Sequence, residues 1–196
     1  MSVEEPAAPG ADAPAIAELG HVGIRCTDIE AQLAFYTQVL NLTVTDHDPG
    51  MGIYFLSSRP DFEHHELLLA TGRTAGPGAQ LIQQISFRCA RLEDVLGYLQ
   101  RFRETGTKVD QIVSHGNAIG VYFYDPDGNR CEVYWQTGFA ARQPFVQHID
   151  LDRDLDEVLD DVRRSVKAFG DTGFKEDSYS KWVKETGAKS VPGDDQ

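Results

Sequence analysis

A histidine, a tyrosine and a glutamate lie in one stretch of the chain whose other residues are largely apolar. The stretch runs from His115 to Trp135 as HGNAIGVYFYDPDGNRCEVYW and contains Tyr122 and Glu132. Its pattern predicts two strands joined by a tight turn at residues 125–129, because Asp, Pro, Gly and Asn favour chain reversals. An unpaired buried carboxylate is costly, so we expect Glu132 to have a cationic partner or to bind a metal ion.

The same side chains also have purely structural explanations, which the sequence leaves open. Glu132 could form an ion pair with Arg25 or Arg88, as buried carboxylates often do. Tyr122 could be an aromatic core residue of its strand. His115, at the mouth of a loop, could simply face solvent.

Composition and charge limit the classes of partner. The formal net charge of -13 argues against nucleic acids and anionic membranes, which both require a basic surface, so a small-molecule substrate is expected. No apolar run reaches the roughly 18 residues needed to cross a bilayer, and no signal peptide is evident, so we expect a cytoplasmic protein. Cys26, Cys89 and Cys131 fall in predicted strands without metal-ligand spacing and are expected to be core residues.

Hydrophobic periodicity predicts the element order βαβββ twice. The first unit has strands near residues 19–26, 42–45, 53–57 and 65–70, with an amphipathic helix that begins at residue 29 and ends near residue 41. The second has strands at 84–89, 109–114, 118–124 and 130–135 and a helix that begins at residue 92. Alignment of the two units places His21 on Gln84 and Glu66 on Glu132. An internal repeat of this kind indicates two modules of one design.

The predicted architecture is therefore an α+β fold in which paired βαβββ modules form a cupped mixed sheet. We expect a disordered leader at residues 1–16, a two-module domain at 17–138 with modules near 17–72 and 80–138, and a C-terminal arm with helices at 139–196. Within that tail, the apolar spacing predicts a helix at 155–169 and a short one at 179–185.

Two βαβββ units with matched polar residues resemble the vicinal oxygen chelate superfamily, which includes glyoxalase I, type I extradiol ring-cleavage dioxygenases, epimerases and metal-free antibiotic-binding proteins. The resemblance covers residues 18–138, and its most specific motif is DPDGNRCEVY at residues 125–134. It implies a cupped sheet that holds a divalent metal where the first and last strands of the modules meet.

In detail the chain most resembles the extradiol dioxygenases, through His115-Gly116, Asn117-Ala118, Tyr122, the DPDGN turn and Glu132. The resemblance implies an iron-dependent dioxygenase that cleaves a catecholic or hydroquinone-like ring, and a homo-oligomer. It assigns His21, Gln84 and Glu132 to an Fe(II) ion, and His65, His115 and Tyr122 to catalysis. Carboxylate and imidazole ligands on one face suit Fe(II) and leave positions for a diol and dioxygen.

The sequence departs from that pattern at one ligand, because the extradiol enzymes have a histidine at the position of Gln84. The spacing from His115 to Tyr122 is also shorter by about two residues than in the best-known members. A glyoxalase-type lyase or isomerase, with Ni, Co, Zn or Mn held by His21, Glu66, Gln84 and Glu132, is the first alternative, and a metal-free binding protein for an aromatic metabolite is the second. The orientation of residues 65 and 66 separates the two enzyme classes. The dioxygenase requires His65 at the site and the lyase requires Glu66, and adjacent residues face opposite sides of a strand.

Overall fold

Two sheets with the same strand arrangement form the framework of the protein in the computed structural model, which describes residues 19–76 and 79–170 and the backbone of residues 172–174. The first sheet has the order β1 (Val22–Cys26), β4 (Leu67–Thr71), β3 (Ile53–Ser57) and β2 (Thr43–Asp48). The second has the order β5 (Ile85–Arg88), β8 (Arg130–Gln136), β7 (Ala118–Tyr124) and β6 (Val109–Ser114). Two short strands follow, β9 (Phe139–Ala141) and β10 (Gln147–His148), and β10 extends the second sheet beyond β6.

The pairing of the strands confirms the predicted repeat. In each sheet the first and last strands of the module are parallel neighbours, β1 with β4 and β5 with β8, and the other pairs are antiparallel. Each sheet also has a register shift at the same place, between Val44 and Asp46 in one and between Val109 and Gln111 in the other. The fold is mixed α+β, as the sequence predicts.

One helix lies against each sheet, and the first is not continuous. It consists of α1 (Ile29–Ala34), capped by the Asp28 side chain, and a π-helical turn (Phe35–Val39), where a single helix had been predicted. The second helix is α2 (Leu92–Thr105). The π turn arises because the Leu40 N–H bonds to the carbonyl of Phe35, five residues back, which widens the last turn.

Several element boundaries coincide with the sequence predictions, and three near the candidate site do not, among them the start of β5 at Ile85, after Gln84. The strands at 53–57, 109–114 and 118–124 and the helix α3 (Leu155–Phe169) lie where they were expected. β1 begins at Val22 and β4 at Leu67, so His21 and His65 precede their strands instead of lying in them.

The turn at residues 125–129 joins the modules and is buried. Asp125 accepts a hydrogen bond from the Tyr36 hydroxyl at 3.0 Å, and Asp127 accepts one from the backbone N–H of Thr27 at 2.9 Å. The guanidinium of Arg73 lies 3.9 Å from the same Asp127 carboxylate. The turn motif therefore holds the two modules together as well as reversing the chain.

The apolar core is continuous across both modules and the C-terminal segment. Its largest fully buried side chains include Tyr36, Phe102, Phe123, Leu56, Leu67, Leu69 and Ile119. Helix α3 buries Val158, Val162 and Val166 in this core, and β11 (Thr172–Phe174) pairs with β9.

The predicted leader at residues 1–16, the helix at 179–185 and the frayed end at 192–196 lie outside the described residues. Within the described ranges, no helix is both long and apolar enough to cross a membrane.

Candidate functional site

Glu132 lies in the middle of β8 and is 5 % exposed. The parallel register places Ser86 beside it, and the Ser86 hydroxyl donates a hydrogen bond of 2.6 Å to the carboxylate. The amide nitrogen of Gln84 lies 3.4 Å from the same oxygen. Glu132 is therefore held by two neutral donors, one on the neighbouring strand β5 and one immediately before it.

Gly120 provides the space for this carboxylate. It lies on β7, and a Cβ atom at this position would collide with Oε1 of Glu132. Glycine is thus required here for close approach of a side chain to the backbone.

The charge of Glu132 has no cationic partner in residues 19–76 and 79–170, since no Lys or Arg there forms an ion pair with it. The predicted ion pairs with Arg25 or Arg88 are not formed, and Arg25 donates to the carbonyl of Thr71. A buried carboxylate with only neutral donors around it is a candidate ligand for a cation that binds from outside the chain.

Tyr122 lies opposite Glu132 on β7 and is 4 % exposed. Burial and the nearby charge of Glu132 raise the pKa of Tyr122 to about 12. The guanidinium of Arg130 lies over the ring, 3.8 Å from its centroid, and is itself paired with Asp110 at 2.8 Å. Tyr122 is consequently a protonated hydrogen-bond donor throughout the neutral pH range.

His115 follows β6 and contacts Tyr122. Its Nε2 atom lies 3.2 Å from the Tyr122 hydroxyl, and its Nδ1 atom lies 3.0 Å from the carbonyl oxygen of Phe145. His115, Tyr122, Glu132 and Gln84 thus form one polar cluster on the second sheet.

A second cluster lies on the first sheet. The rings of His21 and His65 are 4.3 Å apart between centroids, and Phe55 packs edge-on against His65 at 5.0 Å. Burial and the adjacent His21 and His64 lower the pKa of His65, which favours its neutral form at pH 7.

Glu66 does not share the environment of His65. Its carboxylate accepts hydrogen bonds from Ser58, at 2.6 and 2.8 Å, and from Arg59, at 3.0 Å. Burial raises the pKa of Glu66, but these hydrogen bonds and the charge of Arg59 outweigh burial and leave the pKa below its usual value. The structure therefore places His65, and not Glu66, beside His21. The sequence alone had left this choice open.

The six predicted site residues lie in these two clusters, His21 and His65 on one sheet and the other four on the second. No hydrogen bond or ring contact connects the two clusters among these six side chains. In the part of the chain that the structure describes, no group of three or more His, Cys, Asp or Glu residues has the geometry of a metal site.

Sequence reasoning missed Ser86, Gly120, Arg130 and the carbonyl of Phe145. The alternation of Gln84 and Ser86 gave a signal for Ser86, because residues two apart face the same side of a strand. The other three depend on strand pairing and on the C-terminal arm, which leave no local pattern in the sequence.

A family model for the Glyoxalase/Bleomycin resistance protein/Dioxygenase superfamily matches residues 18–133. The chain belongs to this superfamily. The match covers both modules, including Glu132, and stops before the C-terminal arm.

Curated relatives are named as dioxygenases of aromatic diols. The chain is 28 % identical over 120 residues to biphenyl-2,3-diol 1,2-dioxygenase 2 of Rhodococcus globerulus, which covers 59 % of this chain and 61 % of the relative. It is 24 % identical over 135 residues to 1,2-dihydroxynaphthalene dioxygenase of Sphingobium xenophagum, covering 66 % of this chain and 43 % of that protein. The chain thus spans less than two thirds of the length of these relatives.

Solved structures share the fold. The fosfomycin resistance protein FosX of Listeria monocytogenes is 19 % identical with a TM-score of 0.52, and the match covers 63 % of this chain and 94 % of FosX. An integron cassette protein from the Halifax Harbour sewage outfall metagenome is 22 % identical with a TM-score of 0.50, covering 61 % of this chain and 99 % of that one.

Proposed function

We propose that this protein is a metal-dependent, extradiol-type dioxygenase that cleaves the ring of a catecholic or hydroquinone-like aromatic. The observation that carries the proposal is the alignment of Glu132, Tyr122 and His115 on one face of the second sheet, with a hydrogen bond between Tyr122 and His115. The names of the curated relatives, which act on aromatic diols, support the same class.

Glu132 supports a divalent metal site, because it is a buried carboxylate without a cation in the described residues. His21, which lies in the other cluster, would join Gln84 and Glu132 as a ligand, and Fe(II) is the metal that we propose. When bound, ferrous iron would supply Lewis acidity toward the diol oxygens and a path for the electrons that dioxygen takes from the diol.

The side chains around the metal position bind the diol and accept the protons that it loses. Tyr122, protonated up to a pH of about 12, would turn its hydroxyl proton from His115 to a substrate oxygen when the diol binds. His115 lies beside it and accepts a proton from the diol, while the neutral imidazole of His65 serves as a second proton acceptor. Phe55 packs against His65 and forms an apolar wall for an aromatic ring.

Oxygen uptake after anaerobic reconstitution with Fe(II) tests the proposal, with 2,3-dihydroxybiphenyl and 1,2-dihydroxynaphthalene among the diols. We expect uptake in the wild type, none in Glu132→Ala, and a kcat about 10²-fold lower in His115→Ala and Tyr122→Phe. Absence of uptake with every diol at full iron occupancy would refute the assignment.

Two matched variants serve as controls for these substitutions. Tyr124→Phe removes a hydroxyl that bonds to Asp110 on the neighbouring strand, and His148→Ala removes an exposed imidazole. Both are expected to retain wild-type kcat, so a comparable loss in either would indicate a general structural effect.

A metal-free binding protein for an aromatic metabolite is the second candidate, because Ser86 and Gln84 already satisfy the Glu132 carboxylate without a metal. Metal analysis of protein purified without chelator separates the classes. One equivalent of iron supports the dioxygenase, one of Ni, Co, Zn or Mn supports a glyoxalase-type lyase or isomerase, and none supports the binding protein. The lyase also predicts loss of metal in Glu66→Ala, whereas the ion pair of Glu66 with Arg59 predicts that metal content is unchanged.

We also propose that the protein is a cytoplasmic homo-oligomer. Strands β1 and β5 lie at sheet edges in the described part of the chain, and open edges favour association. Sedimentation velocity at micromolar concentration measures the mass, and a single monomeric species would exclude the oligomer.

A further inference from the structure

The segment of residues 139–149, here called the C-terminal arm, lies outside the family match and contacts His115 directly. Its strand β10 pairs with β6, with Gln147 beside Ser114 and His148 beside Val113. The arm is thus anchored to the strand that immediately precedes His115.

The carbonyl of Phe145 determines which nitrogen of His115 carries the proton. A carbonyl oxygen only accepts hydrogen bonds, so the Nδ1 atom, 3.0 Å away, must be the donor. In the neutral ring Nε2 is then unprotonated and accepts the hydrogen bond from the Tyr122 hydroxyl at 3.2 Å. The arm therefore sets the direction of the Tyr122–His115 hydrogen bond.

A single side-chain amide of the arm ties these groups together. The Gln143 amide nitrogen donates to the carbonyl of His115 at 2.8 Å, and its oxygen accepts from the N–H of Phe145 at 3.0 Å. Gln143 thus fixes the backbone at His115 and at Phe145, the two residues whose ring nitrogen and carbonyl oxygen are hydrogen-bonded.

Helix α3 supports the arm from the other side. A Cβ atom on Gly116 would collide with Ala141 of the arm and would lie 2.9 Å from Val166 of α3. The loop that carries His115 therefore packs tightly against the C-terminal segment, with no room for a side chain at Gly116.

We propose that Gln143 is a positioning residue, and that the C-terminal arm holds His115 as the Nδ1–H tautomer so that Nε2 accepts from Tyr122. The relevance of this tautomer to catalysis rests on the proposed function. The tautomer itself is a property of the folded, metal-free protein and is measured without substrate.

The test is the long-range ¹H–¹⁵N spectrum of the histidine rings in the metal-free protein at a pH at which the rings are neutral, with His115→Gln to assign the signals. The wild type is expected to show His115 with the proton on Nδ1. In Gln143→Ala the ratio of Nδ1–H to Nε2–H tautomer is expected to fall about tenfold, as loss of a fixed hydrogen-bond geometry implies. An Nε2–H tautomer in the wild type overturns the proposal.

Val146→Ser is the matched control, because Val146 lies in the same arm and its side chain is 62 % exposed. It is expected to keep the wild-type tautomer. Gln143→Glu keeps the acceptor for the Phe145 N–H but loses the donor to His115, so an intermediate ratio is expected. An unchanged tautomer in both Gln143 variants, with the amide spectrum of the folded protein retained, also overturns the proposal.

The pH dependence of kcat separates positioning from general stability. Gln143→Ala is expected to shift the pH profile of oxygen uptake with KM unchanged, while Val146→Ser leaves the profile as in the wild type. If no diol supports uptake but the Nδ1–H tautomer is present and depends on Gln143, the proposed function fails and the positioning of His115 stands.

Discussion

At the scale of single residues, Glu132 and Gly120 form a pair in which the missing side chain of one creates the space for the carboxylate of the other. The sequence indicated that Glu132 was unusual, because it interrupts an apolar strand. It could not indicate Gly120, whose importance depends on the register of two antiparallel strands.

Gly120→Ala tests this pair. The new Cβ would displace the Glu132 carboxylate, so we expect the metal content to fall and the free energy of unfolding to drop by about 1–3 kcal/mol. Gly97→Ala is the control, because it lies inside α2 with no atom within 4 Å of a new Cβ, and it should stabilise the protein by about 0.5–1 kcal/mol. Urea denaturation and metal analysis of both variants measure the difference, and an unchanged metal content in Gly120→Ala would contradict the assignment of Glu132.

The three cysteines are residues whose ionisation affects stability. Burial raises the pKa of the thiols of Cys26, Cys89 and Cys131 from 9.0 to about 12. An unfolded chain therefore loses these protons above pH 9, while the folded chain keeps them until about pH 12. The contribution of the buried thiols to the free energy of unfolding is fully present below pH 9. It is lost as the pH rises from 9 to about 12.

Cys26→Ala isolates this effect, because Cys26 is fully buried. The free energy of unfolding of the wild type should decline more steeply between pH 8.5 and 10.5 than that of the variant, by up to about 1.4 kcal/mol per pH unit. Guanidinium denaturation across this range measures the two slopes. Equal slopes, or rapid labelling of Cys26 by a thiol reagent in the folded protein at pH 8, would show that the thiol is accessible.

At the scale of elements, the turn at residues 125–129 has a larger role than its sequence indicates. Asp, Pro, Gly and Asn predicted a reversal, which the structure confirms, but Asp125 and Asp127 are buried by contacts from the first module. The contact between Thr27 and Asp127 joins residues 100 positions apart in the chain. No local pattern contains that information.

Arg73→Ala tests the turn as a connection between modules. It removes the cation beside buried Asp127 and the hydrogen bond to Asn129, so we expect a loss of about 3 kcal/mol in the free energy of unfolding. Arg164→Ala, which removes an exposed ion pair with Asp161, should change it by less than about 1 kcal/mol. Similar values for the two variants would mean that the buried ion pair contributes little.

The elements themselves were largely predictable, since their apolar periodicity is local. The strands at 53–57, 109–114 and 118–124 and the amphipathic α3 lie where the pattern placed them. The π turn after α1 was not predicted, because the stripe of Leu33, Tyr36 and Leu40 fits a continuous α-helix equally well. The strand starts at Val22 and Leu67 were missed because the histidines before them continue the alternation.

At the scale of the whole molecule, the repeat places His21 before β1 and Gln84 before β5, each at the start of its module's parallel strand pair. His21 lies beside His65, and Gln84 lies beside Glu132. The C-terminal arm and α3 add a third part, which packs on the loop of His115 and belongs to the same core. The sequence predicted a C-terminal arm, and in the structure the Phe145 carbonyl of this arm lies 3.0 Å from Nδ1 of His115.

The most direct test of the central claim is ring cleavage under ¹⁸O₂ by the protein loaded with Fe(II), followed by mass spectrometry of the product from 2,3-dihydroxybiphenyl. An extradiol dioxygenase breaks the carbon–carbon bond beside one hydroxyl and places both atoms of dioxygen in the ring-opened product. We expect a ring-opened product heavier by two ¹⁸O atoms, formed by the wild type and absent with Glu132→Ala. Intact diol after incubation at full iron occupancy, or a product without ¹⁸O, would contradict the account.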